Sequence, residues 1–171
     1  LAAPGIAPDR LGGLILLTAT PRFGQAADWP AAMAPATLAR FHDDLLADPA
    51  GTLQRFLALQ VKGSEAARET LRQLRLELAG RPAPEPRALA QGLDLLREGD
   101  LRPRLPDLAC PSLWIYGERD TLVPAAVASD IAGLLPEARV QVIPRAAHAP
   151  FLSHPAATTA ALLSFLWELE T

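Results

Sequence analysis

The chain has 171 residues, half of them hydrophobic and few aromatic, and a formal net charge of −3. That length suits one domain with a sizeable core, and the slight acidity gives no reason to expect a nucleic-acid or anionic-membrane partner. A single cysteine, Cys110, excludes an internal disulfide and suits a reducing cytoplasm; no apolar run reaches membrane-span length, and no basic, apolar and small-residue series marks a signal peptide.

In chain order, Leu1 to Ala7 reads as a helix end. Leu14 to Leu17 reads as a buried strand that continues through Thr18 and Ala19 to a stop at Pro21. Without neighbours on both sides, such a strand exposes an apolar edge. From Arg22 to about Gly99 the pattern is helical. Leu38, Phe41 and Leu45 recur at helical spacing, followed by Leu53, Phe56 and Leu57, then Ala67, Leu71, Leu74 and Leu78, then Leu89, Leu93 and Leu96. An insertion of this kind between strands reads as a lid over a site, the alternative being a helical subdomain that touches no substrate. The division is therefore 1–21 and 100–171 for the core and 22–99 for the lid.

Two stretches within the insertion carry chemistry. Phe56, Leu57 and Leu59 can bury a medium-length acyl chain, at about 0.8 kcal/mol per methylene removed from water, although the same residues also serve as helix core. In the helix predicted from Ser64 to Leu78, Arg68, Arg72 and Arg75 fall on one stripe about a quarter-turn from the apolar one. This stripe suits an acidic partner; equally, Glu65 and Glu69 lie close enough to make it an ordinary ion-paired surface.

After a linker at Arg102 to Pro106, Leu113 to Tyr116 reads as a buried strand closed by Gly117, so Asp120 emerges just past a strand end. A helix follows from Pro124 to Leu135, then a strand from Val140 to Ile143. The next loop carries His148, and a helix from Ala156 to Leu169 has Leu162, Leu163, Phe165, Leu166 and Trp167 as its core. A histidine on a tight loop either caps the following helix or moves protons. A carboxylate past the preceding strand end favours the second use, because it can hold one ring N–H and stabilise the imidazolium. Glu118 competes with Asp120 for that role, His154 competes with His148, and His42 beside Asp43 reads as surface.

The strand-Gly-x-x-Asp-x-x-Val-Pro segment, followed by strand-loop-His-x-Pro, resembles the C-terminal half of an α/β-hydrolase. Arg55 to Gln60, Asp28-Trp29-Pro30 and Ala146 to Pro155 resemble, more narrowly, the family of pimeloyl-[acyl-carrier protein] methyl ester esterases of biotin synthesis. The resemblance implies an α/β fold, the C-terminal part of the hydrolase sheet with an inserted helical lid. It assigns Asp120 and His148 as catalytic, with Phe56, Leu57, Ala58, Leu59, Gln60 and His148 at the substrate and Trp29 as a further contact. It also implies an acyl-carrier protein met by Arg55, Arg68 and Arg72, without metal or redox cofactor. No serine (Ser64, Ser112, Ser129, Ser153, Ser164) lies in Gly-x-Ser-x-Gly, and Cys110 does not stand at a nucleophile turn. The expectation is a C-terminal fragment lacking about 80 residues, nucleophile included. Another α/β-hydrolase, such as a short-chain esterase or a carbon–carbon bond hydrolase, and a non-catalytic carrier-binding fragment remain as alternatives.

Overall fold

The computed structural model describes residues 11–82 and 84–170. The helix end expected over Leu1 to Ala7, and the first core segment as far as Arg10, lie outside the described residues. Three parallel strands, β1 (Leu14–Leu17), β2 (Ser112–Gly117) and β3 (Arg139–Ile143), form a sheet in the order β1-β2-β3. The central strand is buried along its whole length, whereas β1 is half-buried throughout, as befits an edge among the described strands.

Side chains alternate across β2, so its two faces carry different cores. Leu113 and Ile115 pack with Ile143, Ala161 and Phe165 beneath α7 (Pro155–Glu170), while Trp114 and Tyr116 pack with Val127 and Ile131 of α5 (Val127–Leu134). Full burial of each large apolar side chain here contributes about 1.5–3 kcal/mol. Helices cover both faces of a parallel sheet, the α/β arrangement expected.

The crossover from β1 to β2 carries four helices: α1 (Pro35–Ala47), α2 (Pro49–Val61), α3 (Ala67–Ala79) and α4 (Pro86–Glu98). Proline opens α1, α2 and α4, where its missing N–H costs nothing, and the Asp48 carboxylate caps α2 by accepting the Gly51 N–H at 2.9 Å. The two ends of this crossover are stitched together. Leu101 N–H donates to the Pro21 carbonyl, and Asp100 accepts from both Arg22 (2.9 Å) and Arg102 (2.7 Å). Arg102 also pairs with Asp28 at 3.1 Å and lies over the Trp29 ring.

Several boundaries differ from the sequence reading. The chain leaves the sheet at Thr18, which adopts φ 47°, so β1 does not continue to Ala19. Tight i→i+3 turns at Ser64 and at Pro124–Ala125 precede α3 and α5, moving their starts to Ala67 and Val127. The expected linker after Leu101 winds into a 3-10 helix, Arg102–Asp107, and a short helix, α6 (Pro150–Ser153), precedes α7. The core assignment for the last helix is corrected: Thr158, Ala161 and Phe165 are buried, but Leu163, Leu166 and Trp167 are exposed. At about 100° per residue, Trp167 stands half a turn from the sector that meets the sheet.

Candidate active site

Two loops at the carboxyl ends of β2 and β3 meet, and glycine makes the meeting possible. A Cβ at Gly117 would lie 2.1 Å from the Ala147 carbonyl oxygen and 2.7 Å from that of Ala146. The β2 loop then turns back on itself: Asp120 N–H donates to the Gly117 carbonyl, and one Asp120 oxygen, Oδ1, accepts the N–H groups of Leu122 (2.8 Å) and Val123 (3.0 Å). Its other oxygen, Oδ2, stands 2.8 Å from Nδ1 of His148. The Asp120 side chain is wholly buried and that of His148 is one-fifth exposed. A buried carboxylate with these partners holds the ring N–H on Nδ1 and leaves the lone pair on Nε2, the arrangement required of a base facing outward.

The competing groups are occupied elsewhere. Glu118 accepts the Arg145 N–H at 2.7 Å, supporting the left-handed Arg145 (φ 60°) that starts the His148 loop. His154 makes a 2.8 Å contact with Ser153 Oγ at the junction of α6 and α7, and His42 faces Asp43. Ser112 accepts the Trp114 indole N–H, and Ser164 accepts from Arg139. Among the described residues, no serine is hydrogen-bonded to His148.

The backbone of His148 is gripped from both sides. Its N–H donates to the Gln60 carbonyl of α2 at 3.0 Å, and its carbonyl accepts the Thr18 hydroxyl at 2.9 Å. Gln60 therefore reaches the site through its backbone, a contact no residue-type argument could anticipate. Thr18 acts through its side chain, but a hydroxyl at the end of an expected strand carries no sign of a partner 130 positions away.

Three further residues of the Phe56-to-Gln60 run line two cavities. Phe56, in edge-to-face contact with Phe41, lines an apolar cavity of about 410 Å³ between α1, α2 and α4. Leu89, Leu93 and Leu96 of α4 form another wall, and Leu122 of the Asp120 loop also lines it; only Thr52 brings a hydroxyl. Ala58 and Leu59 line a second groove, of about 700 Å³, along α1, α2 and α3. Leu57 is buried and lines neither cavity. Trp29 is buried beneath Arg102 and donates its indole N–H to the Arg22 carbonyl, away from the apolar cavity.

The arginines expected to meet a carrier also divide. Arg55 and Arg68 border the second groove, joined there by Arg40 and Lys62, which the sequence did not single out. Those two come from α1 and from the end of α2, so only folding brings the four cations together. Arg72 lies outside the groove's lining and is hydrogen-bonded twice to Glu69 on the exposed face of α3; Arg55 is held by the Thr52 hydroxyl, with Asp44 and Asp48 nearby. Beyond the site, hydrogen bonds from Arg102 hold the Asp100 carboxyl well below the usual carboxylate range, and burial pushes the Tyr116 hydroxyl up. Among the described residues, no cluster of three His, Cys, Asp or Glu could hold a metal ion, and no helix is long and apolar enough to cross a membrane.

Residues 1–155 match the family described as the alpha/beta hydrolase fold. Over 157 residues the chain is 48% identical to the pimeloyl-[acyl-carrier protein] methyl ester esterase of Stenotrophomonas maltophilia, covering 92% of this chain and 61% of that one. The enzyme of the same name from Aeromonas hydrophila is 47% identical over 86% of this chain and 58% of its own length. The chain thus spans about three-fifths of the curated relatives it matches. An esterase from Exiguobacterium antarcticum superposes with a TM-score of 0.80 at 22% identity, covering 94% of this chain and 57% of that one. An esterase from Thermogutta terrifontis does so with 0.74 at 26%, covering 96% and 58%.

Proposed function

From the premise that the chain belongs to the α/β-hydrolase fold family, we propose that it provides the acid–base half and the lid of a carboxylesterase acting on the methyl ester of pimeloyl-[acyl-carrier protein]. The observation that carries this reading is the 2.8 Å contact between His148 Nδ1 and the buried Asp120 carboxylate, where two strands of a parallel sheet end. In the complete active site, Nε2 of His148 takes the proton of a serine as its oxygen attacks the ester carbonyl. His148 then returns that proton to the departing methoxide, releasing methanol. Water, deprotonated by His148 in turn, attacks the acyl-enzyme; His148 returns that proton to the departing serine oxygen and the acid product ionises to the carboxylate, with Asp120 stabilising the imidazolium at both stages.

Residues 22–99 act as the lid between core segments 1–21 and 100–171. The apolar cavity bordered by Phe56 takes the acyl chain, and each buried methylene adds about 0.8 kcal/mol. Arg55 and Arg68, with Arg40 and Lys62 beside them, face the acidic carrier, and Arg72 contributes where it can exchange Glu69 for a carrier carboxylate. The reaction takes place in the cytoplasm, where unpaired Cys110 stays reduced.

The test joins this chain to the portion of the Stenotrophomonas relative that lies outside the match. Hydrolysis of the carrier-linked methyl ester is compared with that of simple nitrophenyl esters. Turnover of the carrier-linked ester that vanishes in His148→Ala is expected. Retained turnover in that variant removes His148 from the mechanism, and a preference for the simple esters alone points to a general esterase.

A further inference from the structure

We infer that Thr18 is a positioning residue for His148, its hydroxyl fixing the histidine carbonyl so that the imidazole stays against Asp120. The inference rests on the esterase reading above. Leu17 pairs with Ile115 in the sheet, and Thr18 N–H still donates to the Ile115 carbonyl at 2.7 Å. The chain then breaks from the strand direction through a left-handed Thr18 at φ 47°. A β-branched residue is poorly suited to that conformation, which glycine or asparagine adopts more easily. Strain of this kind persists where the surroundings compensate for it. Here the compensating contact is the 2.9 Å hydrogen bond from Thr18 Oγ1 to the His148 carbonyl, made by a side chain in a residue only 7% exposed.

The two residues are 130 positions apart, so the bond ties the end of β1 to the loop after β3. On the other side of the same residue, Gln60 of α2 accepts the His148 N–H. Both peptide groups of His148 are thereby anchored to separate elements, and only the side-chain torsions remain to be set by Asp120. With the hydroxyl removed, one anchor is lost and the loop gains freedom to carry the ring away from the carboxylate.

Four variants of the joined chain described above form the test: Thr18→Val, Thr18→Gly, Thr18→Ser and His148→Ala. Glycine is the decisive substitution, because it relieves the left-handed backbone while deleting the hydroxyl. Thr18→Gly and Thr18→Val are expected to lower kcat about tenfold or more with KM unchanged, since small displacements of a catalytic group are costly. Thr18→Ser should stay within about twofold of the parent, and the melting temperature of Thr18→Gly should be no lower than that of Thr18→Val. Parental kcat in both Gly and Val, alongside an inactive His148→Ala, overturns the role of Thr18 and leaves the esterase reading intact. Turnover in His148→Ala removes His148 from the mechanism proposed above, and the Thr18 inference with it. A measurement independent of turnover uses the present chain alone: the rate at which the His148 ring N–H exchanges with water, read by NMR. Faster exchange in Gly and Val but not in Ser is expected, and equal rates in all of them overturn the inference.

Discussion

Replacing Asp120 by asparagine keeps the shape of the side chain and changes only what it can accept. In the native site one carboxylate oxygen accepts two backbone N–H groups, from Leu122 and Val123, and the other faces Nδ1 of His148. An amide has one acceptor and one donor end, so two orientations compete. Turning the NH2 toward Leu122 and Val123 sets donor against two buried donors, at about 1–3 kcal/mol for each hydrogen bond left unmade. Turning it toward His148 opposes a single N–H, which the imidazole relieves by moving its proton to the other nitrogen, and that orientation wins. His148 must then accept at Nδ1 and carry its proton on Nε2, where the base is needed. The expected loss in kcat is about 10⁴-fold, equivalent to about 5.5 kcal/mol of barrier, while the fold stays intact because the loop hydrogen bonds survive. Ester turnover and thermal melting, measured together on the joined chain, check this. Turnover within tenfold of the parent in a folded Asp120→Asn variant would refute the tautomer argument.

Gly92 lies inside α4 and lines the apolar cavity, with nothing within 4 Å of an added Cβ. Gly92→Leu should keep or raise the melting temperature through a gain in helix propensity of about 0.5–1 kcal/mol. The same variant should shorten the longest acyl ester accepted; an unchanged chain-length profile argues against the cavity as the acyl site. Arg68→Glu should raise KM for the carrier-linked ester severalfold and leave simple esters unaffected, with the difference shrinking at high salt. An equal effect on both substrates would show that Arg68 does not read the carrier. The Asp100 carboxyl, held down by hydrogen bonds from Arg102 and Arg22, stabilises the fold fully above its ordinary value of 3.8, and that stabilisation is lost as pH falls below it toward the depressed folded-state value. Asp100→Asn should therefore be less stable near neutrality and show a flatter stability profile in acid. Parallel profiles for the two proteins would place the acid sensitivity elsewhere.

Leu113 to Tyr116 announced a buried strand because four apolar residues before a glycine leave few alternatives, and the strand end in turn located Asp120. Leu38, Phe41 and Leu45 announced α1 because a helical period is a local property of the chain. By contrast, the same periodicity in the last helix could not say which sector meets the sheet, so Trp167 was placed in the core and is exposed. Glu118 competed with the preferred Asp120 in the sequence; in the structure Glu118 accepts the Arg145 N–H and Asp120 faces His148.

The order of the main strands and helices, and an aspartate and a histidine each following a strand, were legible in local hydrophobic pattern and turn chemistry, whereas the α/β class rested on the resemblance to a known family. Contacts between distant elements, through side chains and backbone atoms alike, depend on tertiary packing. It set Gln60 and Thr18 on either side of His148, gathered Arg40, Arg55, Lys62 and Arg68 along one groove, and joined Arg22, Asp100 and Arg102 where the crossover enters and leaves the sheet. Side chains supply the hydroxyl and the charges in these contacts, and backbone carbonyls and N–H groups are the same in every residue, so which groups meet is settled by packing the helices onto the sheet.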